Sequence, residues 1–284
     1  MPVFKAYAKI NLGLIVVRKR ADGYHDIETV FHRIGLADEI TLQSSDRVVV
    51  TSDNPEAPSG AANICYEAVE MLRRHADAGR GVVVQINKGI PVGAGLGGGS
   101  SDAAMILKEL PGLWGVRVEE HTLRSLALGL GSDVPFFLGA GSAYASGRGE
   151  ILEYFDLDIP YYILLCYPNI HIATPWAYGQ VTPSLPPIGH DLRRMLHDGM
   201  RDPVLLTDHL RNDFEGPVFR EFPEVAGVKE YMLRTGALFA SLSGSGSAVY
   251  GFFRTEEDTR SATEEFRARG YVLHVTPPHF RPGR

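Results

Sequence analysis

A chain of 284 residues, 44% of them hydrophobic, can bury one large core or two modest ones without staples or metals to hold it together. Its 28 Lys and Arg against 34 Asp and Glu give a formal net charge of −6 at pH 7. That excludes the global positive field of a nucleic-acid or anionic-membrane binder, so any phosphate ligand needs a local site.

Two cysteines, Cys65 and Cys166, are too few and too far apart for a disulfide framework or a zinc site, and a reducing, cytoplasmic setting is expected. Lys5 and Lys9 interrupt the N-terminal run that a signal peptide would require. No apolar stretch approaches the roughly 20 residues that span a bilayer. Neither a nucleic-acid nor a membrane partner is expected.

The first fifty residues alternate as strands do: VFKAYAKI, NLGLIVV, DIETVFHRI, DEITLQ and DRVVVTS, separated by RADGYH, GLAD and SS. NICYEAVEMLRRHAD then reads as a helix with Asn63 suited to cap it, and VVVQI (82–86) as a short strand. Next comes PVGAGLGGGSSDAA (91–104), with five glycines in seven positions, running into a helix that Ser100, Ser101 or Asp102 could cap. A further helix is expected over about 119–130, followed by the unusual segment LGSDVPFFLGAGSAYASGRGE and a strand in YYILLCYP (161–168). The Pro-rich run TPSLPPIG (182–189) reads as an exposed connection between lobes or a surface excursion. Helices near 191–198, 203–212 and 224–235 precede a strand (AVYGFF), a helix (TEEDTRSATEEFRARG) and a strand (YVLHVT). Without regular βαβ alternation the class is α+β, divided at 1–155 and 156–284.

The glycine run is the feature that points to chemistry. A P-loop needs a Lys before its Ser, and Gly99 stands there. The dinucleotide pattern G-x-G-x-x-G matches at Gly93, Gly95 and Gly98 but also requires a second parallel strand ending in an acidic residue, where PGLWGVRVEE stands instead. A nicotinamide-dependent dehydrogenase therefore stays as an alternative. Glycines that let backbone approach phosphate, followed by a helix N-terminus, form an anion site under any of these readings. The second Gly/Ser run, SLSGSGSAVYG (241–251), has the same chemistry; alone it reads as a bend or bulge, and with the first it suggests two backbone cradles facing a polyanion.

For phosphoryl transfer a carboxylate near the acceptor hydroxyl and a cation are needed. Asp133, flanked by glycine and proline and running into an apolar wall, is the candidate carboxylate, with capping of a turn or of the next short helix as its structural alternative. Lys9 interrupts an apolar strand and Asn11, two positions on, shares its side. The Asp22-Gly23 turn presents Tyr24 and His25, and Trp176 and Tyr178 lie in a turn-like stretch. No His pair has metal-ligand spacing, so no resident metal is expected.

Together these segments resemble the GHMP small-molecule kinases: AYAKINLGL the first motif, PVGAGLGGGSSDAA the ATP loop, LGSDVPFFL the catalytic-aspartate motif, and SLSGSGSAVYG the C-terminal glycine motif. The resemblance covers nearly the whole chain. It implies two lobes, the N-terminal one like ribosomal protein S5 with a left-handed βαβ crossover and the C-terminal one ferredoxin-like, with ATP and Mg²⁺ as cofactors. RADGYH with the long glycine loop implies the branch that phosphorylates the 2-hydroxyl of a cytidine-diphosphate-linked methylerythritol, with another acceptor of the same kinase type as the alternative. By the same resemblance Asp133 is the base and Lys9 its partner. Asn11, Tyr24, His25, Thr174 and Tyr178 hold the substrate, with cytosine between Tyr24/His25 and Tyr178. Pro91, Gly93, Gly95, Gly97, Gly98, Gly99, Ser100 and Ser101 hold the ATP phosphates, and Asn63 and Lys88 lie by the adenine. A monomer or weak homodimer is expected.

Overall fold

A computed structural model of the chain describes residues 2–76, 79–186 and 190–283. The chain forms two compact units. The first comprises Met1–Ala8, Ala37–Val92 and Gly97–Ala140, the second Lys9–Leu36, Gly93–Leu96 and Gly141–Arg284. This partition differs from the sequence-based division at 155/156, because the chain passes between the units several times. Two long strands do so, β1 (Val3–Lys19) and β2 (His25–Ser45), which pair with each other. Sequence reading breaks both, at Asn11 and at GLAD. The structure runs β1 through Gly13 at φ 73°, a backbone state open to glycine, and buries Asp38 of GLAD within β2.

In the first unit β3 (Val48–Ser52), helix α1 (Ile64–His75) and β4 (Gly81–Asn87) follow in turn. β3 and β4 pair in parallel across the helical crossover, and β2 joins the other side of β4 antiparallel, Glu39 opposite Asn87. The α1 stripe Cys65, Ala68, Val69 and Leu72 is buried, and Asn63 caps the helix as expected by accepting from Cys65 N. Then come α2 (Gly98–Trp114), α3 (Glu120–Leu130) and the short α4 (Val134–Leu138). α2 starts earlier than the sequence suggests, its cap position being Gly97 in the left-handed region and not Ser100, Ser101 or Asp102. It also runs on through Pro111 to Trp114, whose indole is 1% exposed; burial of that ring accompanies the extra turn.

In the second unit β5 (Ser142–Ser146) and β6 (Ile151–Phe155) form a hairpin, with β5 pairing β2 at Thr29–Phe31. Next along the chain are β7 (Tyr162–Tyr167), α5 (Thr174–Gln180), α6 (Leu192–Gly199), α7 (Pro203–His209), α8 (Glu215–Glu221), α9 (Pro223–Arg234), β8 (Phe239–Leu242), β9 (Val249–Phe253), α10 (Glu256–Ala268) and β10 (Val272–Thr276). The last four strands make an antiparallel sheet in the order β10-β7-β9-β8. Labelled by chain order that is 4-1-3-2 with helices between the first and second and the third and fourth strands, the ferredoxin-like arrangement. Its apolar side, with Leu164, Cys166, Leu242, Val249 and Phe253, is packed by Val225, Val228 and Met232 of α9 and Ala262 and Phe266 of α10.

Residues 182–186 are irregular and mostly exposed, and since they lie wholly inside the second unit they are a surface excursion and not a link between units. Residues 187–189 of that run lie outside the described residues. TPWAY, read from sequence as turn-like, is the first part of α5: Pro175 sits in its first turn, where proline's missing N–H costs nothing.

Candidate active site

The predicted residues fall in both units. In the second, β1 carries Lys9 and Asn11 to the same side, as their spacing requires. Lys9 is 5% exposed, and a buried ammonium has to find acceptors. Its Nζ donates to Asn11 Oδ1 at 2.7 Å and to the carbonyl of Gly95 at 3.1 Å, and lies 5.1 Å from the ring centre of Phe31. Asn11 in turn donates from Nδ2 to Thr29 Oγ1 at 3.0 Å, and Thr29 donates to Gly13 O. Asn11 is thus a buried relay that aims Lys9, and Thr29 is a member sequence reasoning missed; its one signal is a polar residue at an inward position of β2.

Gly95 has φ 80°, and a Cβ there would fall 2.3 Å from Ser243 O. The carbonyl of Gly95 accepts from Ser243 Oγ at 3.2 Å as well as from Lys9. Ala94 O likewise receives Ala248 N at 3.2 Å. The run 243–247 is therefore not an open cradle for a polyanion. Ser243, Ser245 and Ser247 are all buried, and their hydroxyls meet Gly95 O, Thr174 Oγ1 and Ile170 O. A Cβ on Gly244 would meet Asn11 Oδ1 and Gly95 O at 3.2 Å, and one on Gly246 the side chains of Leu242 and Ile172, so the glycines of this run serve close packing. Asn212, in the RNDFEG segment that sequence reading places at the end of a helix, braces this run by donating to Leu242 O and Gly244 O, both at 2.9 Å. Gly93 is exposed, and a Cβ on it would strike the imidazole of His171.

The aromatic residues gather nearby in the same unit. His25 and Tyr178 stack on each other, centroids 4.9 Å apart and planes 23° from parallel, and Tyr178 meets Phe214 edge-on at 4.9 Å. Rings this close are in direct contact. His25 therefore extends the Tyr178 face, and Tyr24, 55% exposed, is the ring that stands open. Burial, then the charge of Lys19, hold the His25 imidazole below its usual range; at neutral pH it keeps one donor and one acceptor nitrogen. Thr174 is exposed at the first turn of α5. Trp176 packs edge-on against Phe222 at 5.4 Å and belongs to the core.

In the first unit the glycine loop enters α2. No side chain caps this 17-residue helix, and its first turn is Gly98, Gly99 and Ser100, so backbone N–H groups and the positive end of the helix are presented there. Gly99 is exposed, and the nearest atom to a Cβ on it would be Ile64 Cγ2 at 3.6 Å. Ser101 differs from Ser100: it is buried, and its hydroxyl donates to Tyr7 O at 2.8 Å. Pro91 is half-buried at the entry to the loop. Asn63, 7% exposed, has its carbonyl oxygen on Cys65 N, capping α1, and its amide on Pro58 O in the preceding loop, so both polar ends are engaged within the protein.

Lys88 has a surrounding that sequence reasoning did not foresee. Its ammonium is held by two buried carboxyls, Asp38 and Asp102, the latter at 2.9 Å. It also lies 3.3 Å from where a Cβ on Gly98 would be. Three N–H donors converge on Asp38, from Lys88, Gly89 and Ile90, whereas Asp102 receives Lys88 on one oxygen only. Burial pushes the Asp102 carboxyl up to about 8 against the opposing pull of Lys88, with Asp38 adding to the rise. For Lys88, burial works downward and the two carboxyls outweigh it. The two directions agree: one ammonium faces two carboxyls, and Asp102 keeps its proton.

Asp133 stands immediately before α4 and is half-buried, and its side chain makes no capping bond to that helix. Capping of α4 by this side chain is thereby removed. The helix that follows buries Val134, Pro135, Phe136 and Phe137, the apolar wall expected behind it. Among the described residues no group of three His, Cys, Asp or Glu could hold a metal ion, and no helix is long and apolar enough to cross a membrane. The dinucleotide reading also fails on topology, since α2 leads into α3 and α4 and not into a strand parallel to β4.

Both halves of the chain match family models, the N-terminal domain of GHMP kinases over residues 63–141 and the C-terminal domain over 191–272. The chain belongs to the GHMP kinase family. Within it, the chain is 44% identical to a 4-diphosphocytidyl-2-C-methyl-D-erythritol kinase of Chlorobium phaeobacteroides (strain BS1) over 97% of both chains. It is 43% identical to one from Prosthecochloris aestuarii, again over 97% of both chains. A crystal structure of 4-(cytidine 5'-diphospho)-2C-methyl-D-erythritol kinase superposes with TM-score 0.79 at 35% identity, covering 97% of this chain and 98% of that one. A homoserine kinase from Cytophaga hutchinsonii, at 20% identity and TM-score 0.73 over 97% of this chain and 94% of its own, shares the fold.

Proposed function

We propose that the protein transfers the γ-phosphoryl group of ATP to the 2-hydroxyl of 4-diphosphocytidyl-2-C-methyl-D-erythritol, in isoprenoid precursor synthesis. The observation that carries this reading is the buried Lys9 ammonium, hydrogen-bonded to a carbonyl of the glycine loop and aimed by Asn11. A charge kept at that cost in an apolar strand marks a place where negative charge has to be met.

Asp133 takes the proton of the 2-hydroxyl as that oxygen bonds to the γ-phosphorus; the bond from phosphorus to the β,γ-bridging oxygen breaks, and ADP leaves. Lys9 offsets the charge developing on the acceptor side. Since little covalent help is asked of a protein in such a transfer, positioning accounts for most of the rate. The uncapped start of α2, with Gly97, Gly98, Gly99 and Ser100, suits the triphosphate, and Lys88, its charge balanced by Asp38, braces the turn at Gly98 from behind. Ser101 and Asn63 act by holding the loop and α1 in place. Mg²⁺ carried by the nucleotide would offset part of the phosphate charge. On the substrate side Tyr24 stacks on the cytosine, the edge of His25 reads it, and Tyr178 backs His25. Cys65 and Cys166 are buried free thiols, in keeping with work in the cytoplasm.

Asp133→Asn tests the chemistry. It keeps shape and removes the base, so kcat should fall by about 10²–10⁴ while the Kd for ATP changes little. Unaltered turnover would remove Asp133 from the mechanism.

A further inference from the structure

The hairpin turn between β5 and β6, Gly147-Arg148-Gly149-Glu150, has no part in the reaction as described above, yet it is built with care. Gly147 and Gly149 have φ 67° and 106°, and Gly149 N closes the turn on Ser146 O at 3.0 Å. Gly147 O receives Ile27 N at 2.7 Å, which ties this turn to the start of β2. Between the glycines, Arg148 turns its guanidinium over the ring of Tyr24, 4.8 Å from the centroid. Glu150 accepts from Arg148 N at 2.5 Å and lies 3.5 Å from its Nε, fixing the side chain from the far end. Arg148 is only 27% exposed, whereas the ring it covers is 55% exposed.

The Tyr24 turn is equally constrained. Arg20 N donates to Tyr24 O at 2.8 Å, Tyr24 N donates to Asp22 Oδ1 at 3.1 Å, and Arg20 pairs with both Asp22 and Asp26. An exposed tyrosine on a hairpin tip would ordinarily sample several rotamers. Here two rigid turns leave it one face covered by a planar cation and the other open.

We propose that Arg148 is a positioning residue for nucleobase recognition: it backs the Tyr24 ring so that the opposite face is presented, already ordered, to the cytosine of the substrate. This rests on the reading of Tyr24 as the base-stacking residue. An ordered platform forfeits less freedom on binding, so the effect belongs in substrate affinity and not in the chemical step. Arginine suits the place because its guanidinium is flat and stacks on an aromatic face, whereas a lysine offers only a point charge.

The test is steady-state kinetics and thermal melting of Arg148→Ala, Arg148→Lys, Tyr24→Ala and the Arg148→Ala/Tyr24→Ala double variant of the full chain. Arg148→Ala is expected to raise the KM for the cytidyl substrate about five- to tenfold, with kcat, the KM for ATP and Tm little changed. Arg148→Lys should recover only part of the loss, and the double variant should be no worse than Tyr24→Ala, because the two residues act as one unit. If Arg148→Ala proves unstable, the Lys variant and its cycle with Tyr24→Ala decide. A normal KM in Arg148→Ala and Arg148→Lys beside a raised one in Tyr24→Ala would overturn this inference and leave the stacking reading intact, as would strict additivity in the double variant. A normal KM in Tyr24→Ala would overturn both.

Discussion

The two Gly/Ser-rich runs of this chain look alike as sequence and behave differently as structure. In 91–101 Gly93 and Gly99 are exposed, and the run opens into a helix whose first turn no side chain caps. In 243–247 every serine is buried and every serine hydroxyl already has a protein partner. Glycine density reports close approach in both cases. What separates a ligand loop from a packing loop is whether the polar groups beside the glycines are already engaged by the protein. Gly95 belongs to the second kind although it sits within the first run, since its missing Cβ makes room for Ser243.

That contrast can be broken within the glycine loop itself. Gly95→Ala should have the largest effect: φ 80° is costly for alanine, and the new methyl would meet backbone at 2.3 Å. A loss of about 3 kcal/mol or more is expected, lowering Tm by roughly 10 °C. A normal Tm would show that Gly95 is not pinned by the 243–247 run.

Behind the same loop, Asp102 supplies a pH signature. It keeps its proton in the fold to about 8 but loses it near 3.9 in the unfolded chain, so the folded state binds more protons over that window. Stability should therefore fall as pH rises from about 4 to about 8, by at most about 1.4 kcal/mol per unit from this group, and level off above. Urea denaturation of Asp102→Asn between pH 5 and 9 should lack that contribution. An identical slope in wild type and variant would mean that Asp102 is charged throughout.

The smallest stability change is expected at Gly99. Alanine fits there without a clash and favours the helix, so Tm should hold or rise slightly, by at most about 1 kcal/mol in stability. The KM for ATP should nevertheless rise severalfold if the backbone at 99 approaches phosphate. A raised Tm with an unchanged KM for ATP would reassign Gly99 to helix initiation alone.

Much of this was legible in the residues, and the parts that were not share a cause. The cap of α1, the order strand, glycine loop, helix, and the shared side of Lys9 and Asn11 are local patterns of period and spacing, and the structure keeps them. The unbroken length of β2 across GLAD depends on Lys88, fifty positions on, which lets Asp38 lie buried. The engagement of the Ser101 hydroxyl by Tyr7, and of the 243–247 serines by residues far away in the chain, is likewise set by tertiary neighbours. TPWAY became a helix because Trp176 finds Phe222 and Tyr178 finds Phe214, contacts that no local propensity encodes.

The most direct measurement is to incubate the purified protein with ATP and 4-diphosphocytidyl-2-C-methyl-D-erythritol and follow ADP release together with the phosphorus NMR spectrum. Stoichiometric ADP with a new phosphomonoester on the 2-hydroxyl is the predicted result. No phosphomonoester on that substrate, or its appearance on a different acceptor alone, would contradict the account.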